Sequence, residues 1–219
     1  MRRSVKAFLA ATTVLTAFAA APAFAQTAGA EAPAETEDQR LAAFFEEIFQ
    51  RNLKNSPLFQ SQLGMKGPDY GKWDDFSDAE AVRQNEETKD DLARLRAEFD
   101  YDKLSEQSRV SYKIFEYLGE RSLRGFPWRF HGYAFSTQSN PVTFPATFLQ
   151  NIHRVDDVSD AEAYVSRLNG LGRAMDQFIE NMETAAAKGV VPTSFSFDPV
   201  ITDAKNVIKG APYDPSGED

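Results

Sequence analysis

The chain has 219 residues, with 24 Lys or Arg against 33 Asp or Glu and a formal net charge of −9 at pH 7. So acidic a surface repels nucleic acid and anionic lipid, and we expect neither to be a partner. Cysteine is absent, which excludes disulfides and thiolate metal sites, so an exported form of the protein must be held together by its core.

Residues 1–25 have the pattern of a secretory signal peptide. Three basic residues precede an apolar run from Ala7 to Ala21, and Ala23-Phe24-Ala25 supplies small residues at the two positions that signal peptidase reads. We expect cleavage after Ala25, a location in the periplasm or the medium, and no stable membrane insertion afterwards. A membrane anchor is the alternative, but the apolar run is shorter than the ~20 residues that span a bilayer. Ordinary secretion is the default route, and the Arg2-Arg3 pair leaves twin-arginine export open.

Order is expected to begin near Thr36, after a flexible leader over residues 26–37 that lacks large apolar side chains. Thr36 and Gln39 form a predicted capping box. The helix that follows carries apolar residues at helical spacing and ends at Ser56-Pro57; these residues are Leu41, Phe44, Phe45, Ile48, Phe49 and Leu53. A short helical turn over residues 57–63 comes next.

Two charged helices follow a predicted loop over residues 64–76. Ser77 and Glu80 are the predicted cap of the first helix, which runs to about Phe99. Its apolar positions are sparse, so most of its surface is expected to be exposed to solvent. The second spans about residues 105–123, and its periodicity predicts that four apolar side chains face inward: Val110, Ile114, Phe115 and Leu118.

The most irregular stretch is FPWRFHGYAFSTQSNPVTFP, residues 126–145. A period-2 strand is one interpretation, but its prolines and glycines favour an ordered loop. Residues 131–140 of this loop mix rings with amides and hydroxyls, as loops at ligand clefts do. The candidate substrate-binding residues are Tyr133, Gln138 and Asn140. The alternative is that these side chains only satisfy backbone groups of the loop.

Three more helices complete the prediction. One is short, over residues 144–152. Ser159 with Glu162 opens the longest, which stops at Gly189 because glycine suits the position after a helix C-cap; its apolar residues are Tyr164, Val165, Leu168, Leu171, Met175, Phe178, Ile179 and Met182. The last begins at Asp198-Pro199 and ends at Gly210. The sum over residues 38–210 is an all-α, irregular multi-helix bundle.

These residues offer no catalytic apparatus and no metal site. The only histidines, His131 and His153, lie far apart, whereas a helical zinc site needs two histidines four residues apart. Adjacent acids, as at Asp74-Asp75, do not face each other and are expected to be solvated or to cap helices. We therefore expect the chain alone to hold no cofactor and no zinc.

An aromatic opening helix comes first, with Ser56-Pro57 and Leu63-Gly64 soon after it. Four segments then follow in order: LSEQSRVSYKIFEYL (104–118), HGYAFSTQ (131–138), DAEAYVSRL (160–168) and AAAKGVVP (185–192). Over roughly residues 40–215 this order resembles the N-terminal part of exported bacterial proteins of the domain-of-unknown-function 885 family. Members of that family are largely helical and look like zinc peptidases of the gluzincin type. The resemblance implies a His-Glu-x-x-His helix, zinc and a peptide substrate in a later part of a longer protein. None of that motif has a counterpart here, so no catalytic or metal residue carries over.

Two hypotheses follow. In the first, the chain is the N-terminal fragment of such a peptidase-like protein, it forms part of a substrate cleft, and residues 211–219 are a loop at the truncation. In the second, it is a complete secreted helical module that binds a partner without enzymatic activity. A fragment is also expected to leave apolar side chains exposed together on one side of the bundle.

Overall fold

The computed structural model describes residues 35–136, 140–207 and 209. Within them the chain is all-α, without strands, as the sequence predicts. The signal peptide, nearly all of the leader, Gly210 and residues 211–219 lie outside the described residues. The seven helices described are α1 (Glu37–Lys54), α2 (Pro57–Gln62), α3 (Asp78–Glu98), α4 (Glu106–Gly125), α5 (Phe144–Asn151), α6 (Val158–Ala187) and α7 (Phe197–Asn206). Single 3₁₀ turns occupy Tyr101–Lys103, Phe126–Trp128 and Ser194–Ser196.

Most helix ends follow from local chemistry. The predicted capping box is present, because the Thr36 hydroxyl accepts from the Gln39 amide at 3.2 Å and the Gln39 side chain accepts from the Thr36 amide at 2.8 Å. Gly189, at φ 80°, follows the end of α6 in the left-handed conformation that glycine tolerates.

Two predicted helix starts are wrong. α6 is capped by Asp157, which accepts from the Asp160 amide at 3.0 Å, and not by Ser159. α7 begins at Phe197, directly after a 3₁₀ turn, and not at Asp198-Pro199. In both cases a neighbouring turn or acid starts the helix one or two residues earlier than the sequence signal suggests.

The main hydrophobic core lies between α1, α3 and α4. Its buried members come from these helices and the turn before α4, and they are Leu41, Phe44, Ile48, Leu95, Phe99, Leu104 and Tyr112. α3 packs mainly on α4, and at their contact Gly119 lies so close to Leu92 that a Cβ would meet its side chain at 2.9 Å. Ion pairs flank the core, such as Arg94 with Glu47 at 2.7 Å and Arg96 with Glu116 at 3.0 Å.

The predicted inward face of α4 is mostly wrong. Only Phe115 of the predicted set packs against the core. Val110, Ile114 and Leu118 are about half exposed, at 50%, 54% and 53%. α4 carries large apolar residues on two opposite sides, and the side bearing Gly119 is the one that allows close approach to α3.

α6 is held largely by a loop. Residues 63–77 connect α2 to α3 and lie along α6, where a Cβ on Gly71 would meet Ser166 Cβ at 3.0 Å and Ala163 Cα at 3.1 Å. The indole of Trp73 donates to the Arg167 carbonyl at 2.8 Å. The buried positions of α6 are accordingly polar or small, namely Asp160, Arg167, Ala174, Gln177 and Ala185. No helix among the described residues is long and apolar enough to cross a membrane.

Candidate functional site

A cleft of about 350 Å³ opens where the loop after α4 meets the start of α3 and the C-terminal half of α6. We call it the aromatic cleft, because rings and a methionine dominate its walls: Phe76, Phe130, Tyr133, Phe178 and Met182. Ala81, Ala134, Pro141 and Ala185 add further apolar surface. Tyr133 is 59% exposed and lines the cleft, so its side chain is accessible to a ligand.

One wall of the aromatic cleft is fixed by Arg129. Its guanidinium donates to both carboxylate oxygens of Asp78, at 2.6 and 3.1 Å, in a two-point ion pair. The same cation lies over the rings of Phe126 and Phe130, at 4.2 and 4.6 Å from their centroids. The hydrogen bond from Arg129 lowers the pKa of Asp78, so this carboxylate stays ionised at neutral pH. The loop therefore meets α3 through a fixed charged contact.

The opposite wall joins the α2–α3 loop to α6. The rings of Phe76 and Phe178 pack together with centroids 4.5 Å apart and planes tilted by 30°. Its backbone is held at both ends, because its amide donates to Gln177 at 3.0 Å and its carbonyl accepts from Asn181 at 2.8 Å. Apolar walls held by hydrogen bonds at their edges are what a small-ligand site requires.

A second cluster, which we call the Arg167 cluster, lies where the N-terminal half of α6 meets α2, α5 and the α2–α3 loop. Arg167 is fully buried. Its guanidinium donates to the Lys72 carbonyl at 3.1 Å and to the Ser61 hydroxyl at 2.8 Å. Three rings surround it, Phe148 at 4.7 Å, Tyr70 at 5.4 Å and Trp73 at 5.7 Å. Burial lowers its pKa to about 10, so Arg167 remains a cation at neutral pH.

His153 completes the Arg167 cluster. Arg167 can only donate, so its contact at 3.2 Å makes His153 Nδ1 an acceptor, and Nε2–H donates to the Asp160 carbonyl at 3.1 Å. The imidazole also stacks on Tyr70 with ring centroids 4.4 Å apart. Burial is the main cause that lowers the pKa of His153, and the nearby cations Arg167 and Lys66 add to it. The neutral ring is thus a structural link between α5, α6 and the α2–α3 loop.

A larger cleft of about 520 Å³ lies between α1, α3 and the end of the α2–α3 loop. Its charged side chains are paired with each other or with backbone. Arg51 binds Asp91 with two hydrogen bonds of 3.0 and 2.5 Å, and Asp74 accepts from the Ser56 hydroxyl and the Leu58 amide at 2.6 and 2.9 Å. These contacts hold the helices together, so the aromatic cleft is the better candidate for a ligand.

Comparison with known proteins gives a family. The family described as bacterial protein of unknown function (DUF885) matches residues 57–218, well over half of the chain. The chain belongs to the DUF885 family. No curated protein and no solved structure matches it.

The structure describes two of the three predicted site residues of this DUF885 chain, and they occupy different surroundings. Tyr133 lines the aromatic cleft. Asn140 stabilises its own loop and joins it to α7. Its side-chain oxygen accepts from the Val142 amide at 3.0 Å, and its side-chain amide donates to Asp203 at 3.1 Å. Gln138 lies outside the described residues. Sequence reasoning missed Phe76, Phe178 and Met182, whose helical or loop positions gave no sign of a shared cleft.

The two histidines of the DUF885 chain do not fit a zinc site. Both ring nitrogens of His153 are engaged within the Arg167 cluster, and His131 packs against Trp128 with centroids 4.8 Å apart. Among the described residues, no group of three or more His, Asp or Glu side chains is arranged to hold a metal ion. We derive no metal-dependent step from these residues.

Proposed function

We propose that this DUF885 chain supplies the N-terminal helical wall of a peptide-binding cleft in an exported bacterial protein resembling a gluzincin-type zinc peptidase. In this proposal, zinc and the catalytic motif belong to residues outside the present sequence, and the chain alone binds without hydrolysing. The aromatic cleft is the observation that carries the proposal.

The chemistry of the aromatic cleft suits a peptide with a bulky apolar side chain. Rings and Met182 offer contact area that is roughly proportional to the apolar surface removed from water. Asn181 and the Asp78–Arg129 pair lie beside these apolar walls and can orient the polar backbone of a peptide. A peptide with an acidic side chain gains nothing from walls of this kind.

Binding of blocked tripeptides to the purified chain tests the proposal. Ala-Phe-Ala amide is expected to bind weakly, by saturation-transfer NMR, and Ala-Asp-Ala amide is not. Tyr133→Ala should abolish the Phe signal, whereas Phe195→Ala should retain it; Phe195 is the control because it is an exposed aromatic residue, at 69% against 59% for Tyr133, that lies outside the aromatic cleft. Equal binding of the two tripeptides, or full binding by Tyr133→Ala, would rule the cleft out.

A secreted binding module without enzymatic activity is the alternative that the same cleft supports. Reading the encoding DNA past Asp219 separates the two. An open frame that encodes a His-Glu-x-x-His helix supports the peptidase-like protein, and a stop codon supports the module.

A further inference from the structure

The side of α4 that faces away from the core presents a continuous apolar stripe. Val110, Ile114, Tyr117 and Leu118 are between 50% and 58% exposed and line a shallow groove of about 470 Å³. We call these four residues, with Glu106 and Arg121 at the two ends, the α4 outer face. Four neighbouring large apolar side chains on one helix are typical of a surface that another helix covers.

The α4 outer face has an acidic residue at one end and a basic residue at the other, and neither is in an ion pair with another described residue. Within the part of the chain that the structure describes, the ion pairs of α4 involve Lys113, Glu116, Glu120 and Arg124. Glu106 and Arg121 take part in none of them, and both are exposed. Glu106 lies one turn before Val110 and Arg121 lies one turn after Tyr117, so the apolar stripe has one unpaired acid and one unpaired base at opposite ends.

We propose that a second copy of this chain covers the α4 outer face, with the two α4 helices antiparallel about a two-fold axis between Lys113 and Ile114. In that register Val110 meets Tyr117 of the other copy and Glu106 meets its Arg121. A two-fold interface repeats each contact, so two equivalent ion pairs close the two ends of the apolar contact. The face is therefore complementary to itself in charge as well as in apolar character.

Two charged side chains near the centre do not oppose this arrangement. Lys113 donates to Glu116 at 2.9 Å and its ammonium lies over the Tyr101 ring at 5.0 Å, so its charge is held at the edge and its carbon chain can cover apolar surface. Arg109 donates to the carbonyls of Tyr101 and Asp102, at 3.1 and 2.6 Å. Lys113 is therefore ion-paired, and the guanidinium of Arg109, which is in none of the α4 ion pairs given above for the described residues, is held by backbone carbonyls instead.

Charge exchange tests the register as well as the association. The purified protein should sediment as a concentration-dependent dimer, and Ile114→Glu should make it monomeric. Glu106→Arg and Arg121→Glu, each alone, place two like-charged contacts in the dimer and should raise its Kd about tenfold or more. Mixing these two single variants restores both opposite-charge contacts in a heterodimer, which should form with a Kd near that of the unmodified dimer.

Asp90→Arg is the matched control, because it makes the same charge change at an exposed position of α3 and should leave the Kd unchanged. Circular dichroism of every variant shows whether the fold is retained. A monomer at all accessible concentrations would overturn the proposal. So would a dimer that tolerates Ile114→Glu, or single charge variants that do not recover dimerisation when mixed.

Discussion

Arg167→Ala removes a buried cation whose surroundings are fixed on every side. Three acceptors lose a donor: the buried Ser61 hydroxyl, the buried His153 Nδ1 and the part-buried Lys72 carbonyl. At about 1–2 kcal/mol for each unpaired group, this costs about 3–6 kcal/mol. Emptying the side-chain volume against Phe148, Tyr70 and Trp73 adds about 2–3 kcal/mol.

An opposing term comes from the charge itself. Burial lowers the pKa of Arg167 to about 10, well below the ordinary range of an arginine. At about 1.4 kcal/mol per pKa unit, the native state carries a desolvation cost of about 3 kcal/mol that alanine relieves. The free energy of unfolding should therefore fall by about 4 kcal/mol, within a range of about 2–6. Arg167→Met keeps most of the volume and relieves the same cost, so its loss should be about half as large.

Urea denaturation followed by circular dichroism at neutral pH measures both changes. Arg173→Ala is the control, since Arg173 is an exposed arginine on the same helix and its loss should change stability by no more than about 0.5 kcal/mol. If Arg167→Ala costs less than about 1 kcal/mol, or if Arg167→Met is the more damaging of the two, the cation is not what holds α6 to the loop.

Two further predictions concern the same region. Because the pKa of His153 is lower in the folded protein than its ordinary value of 6.5, the unfolded chain binds the proton more readily; stability should be constant above about pH 7 and fall as the pH drops through 6.5. His153→Gln should flatten that slope between pH 7 and 5 in urea titrations, and an unchanged slope would contradict the assignment. Gly71→Ala should lower the free energy of unfolding by about 1–3 kcal/mol, since its Cβ meets the α6 backbone. Gly67→Ala in the same loop has only Gln60 Oε1 at 3.7 Å near the new Cβ and should be close to neutral, so equal losses would refute the reasoning.

The helix ends that the sequence predicts correctly depend on residues close together in the chain. The Thr36–Gln39 box needs two side chains three positions apart, and Gly189 needs only its own conformational freedom. Helix caps of this kind can be predicted from a few consecutive residues because the interacting groups all lie within them.

The buried faces of α4 and α6 could not be predicted from neighbouring residues in the sequence. α4 has apolar residues on two sides, and the choice between them depends on Leu92 packing against Gly119. On α6, aliphatic Val165, Leu168 and Ile179 are about half exposed while Arg167 is buried. Arg167 gave no signal because its rings and acceptors come from distant segments. The composition of its own loop did point to Tyr133, which lines the aromatic cleft.

The attachment of α6 through the α2–α3 loop sets an order for folding. The side-chain hydrogen bonds that join this helix to the loop or to α2 link residues 94 to 110 positions apart. The contacts of α3 with α4 are far more local, as in the pairing of Arg96 with Glu116 over 20 positions. Since distant contacts form only after a long segment has closed, we expect α6 to dock late, onto α1, α3 and α4 that are already assembled. On a ribosome those three helices would be complete before the end of α6 had been synthesised.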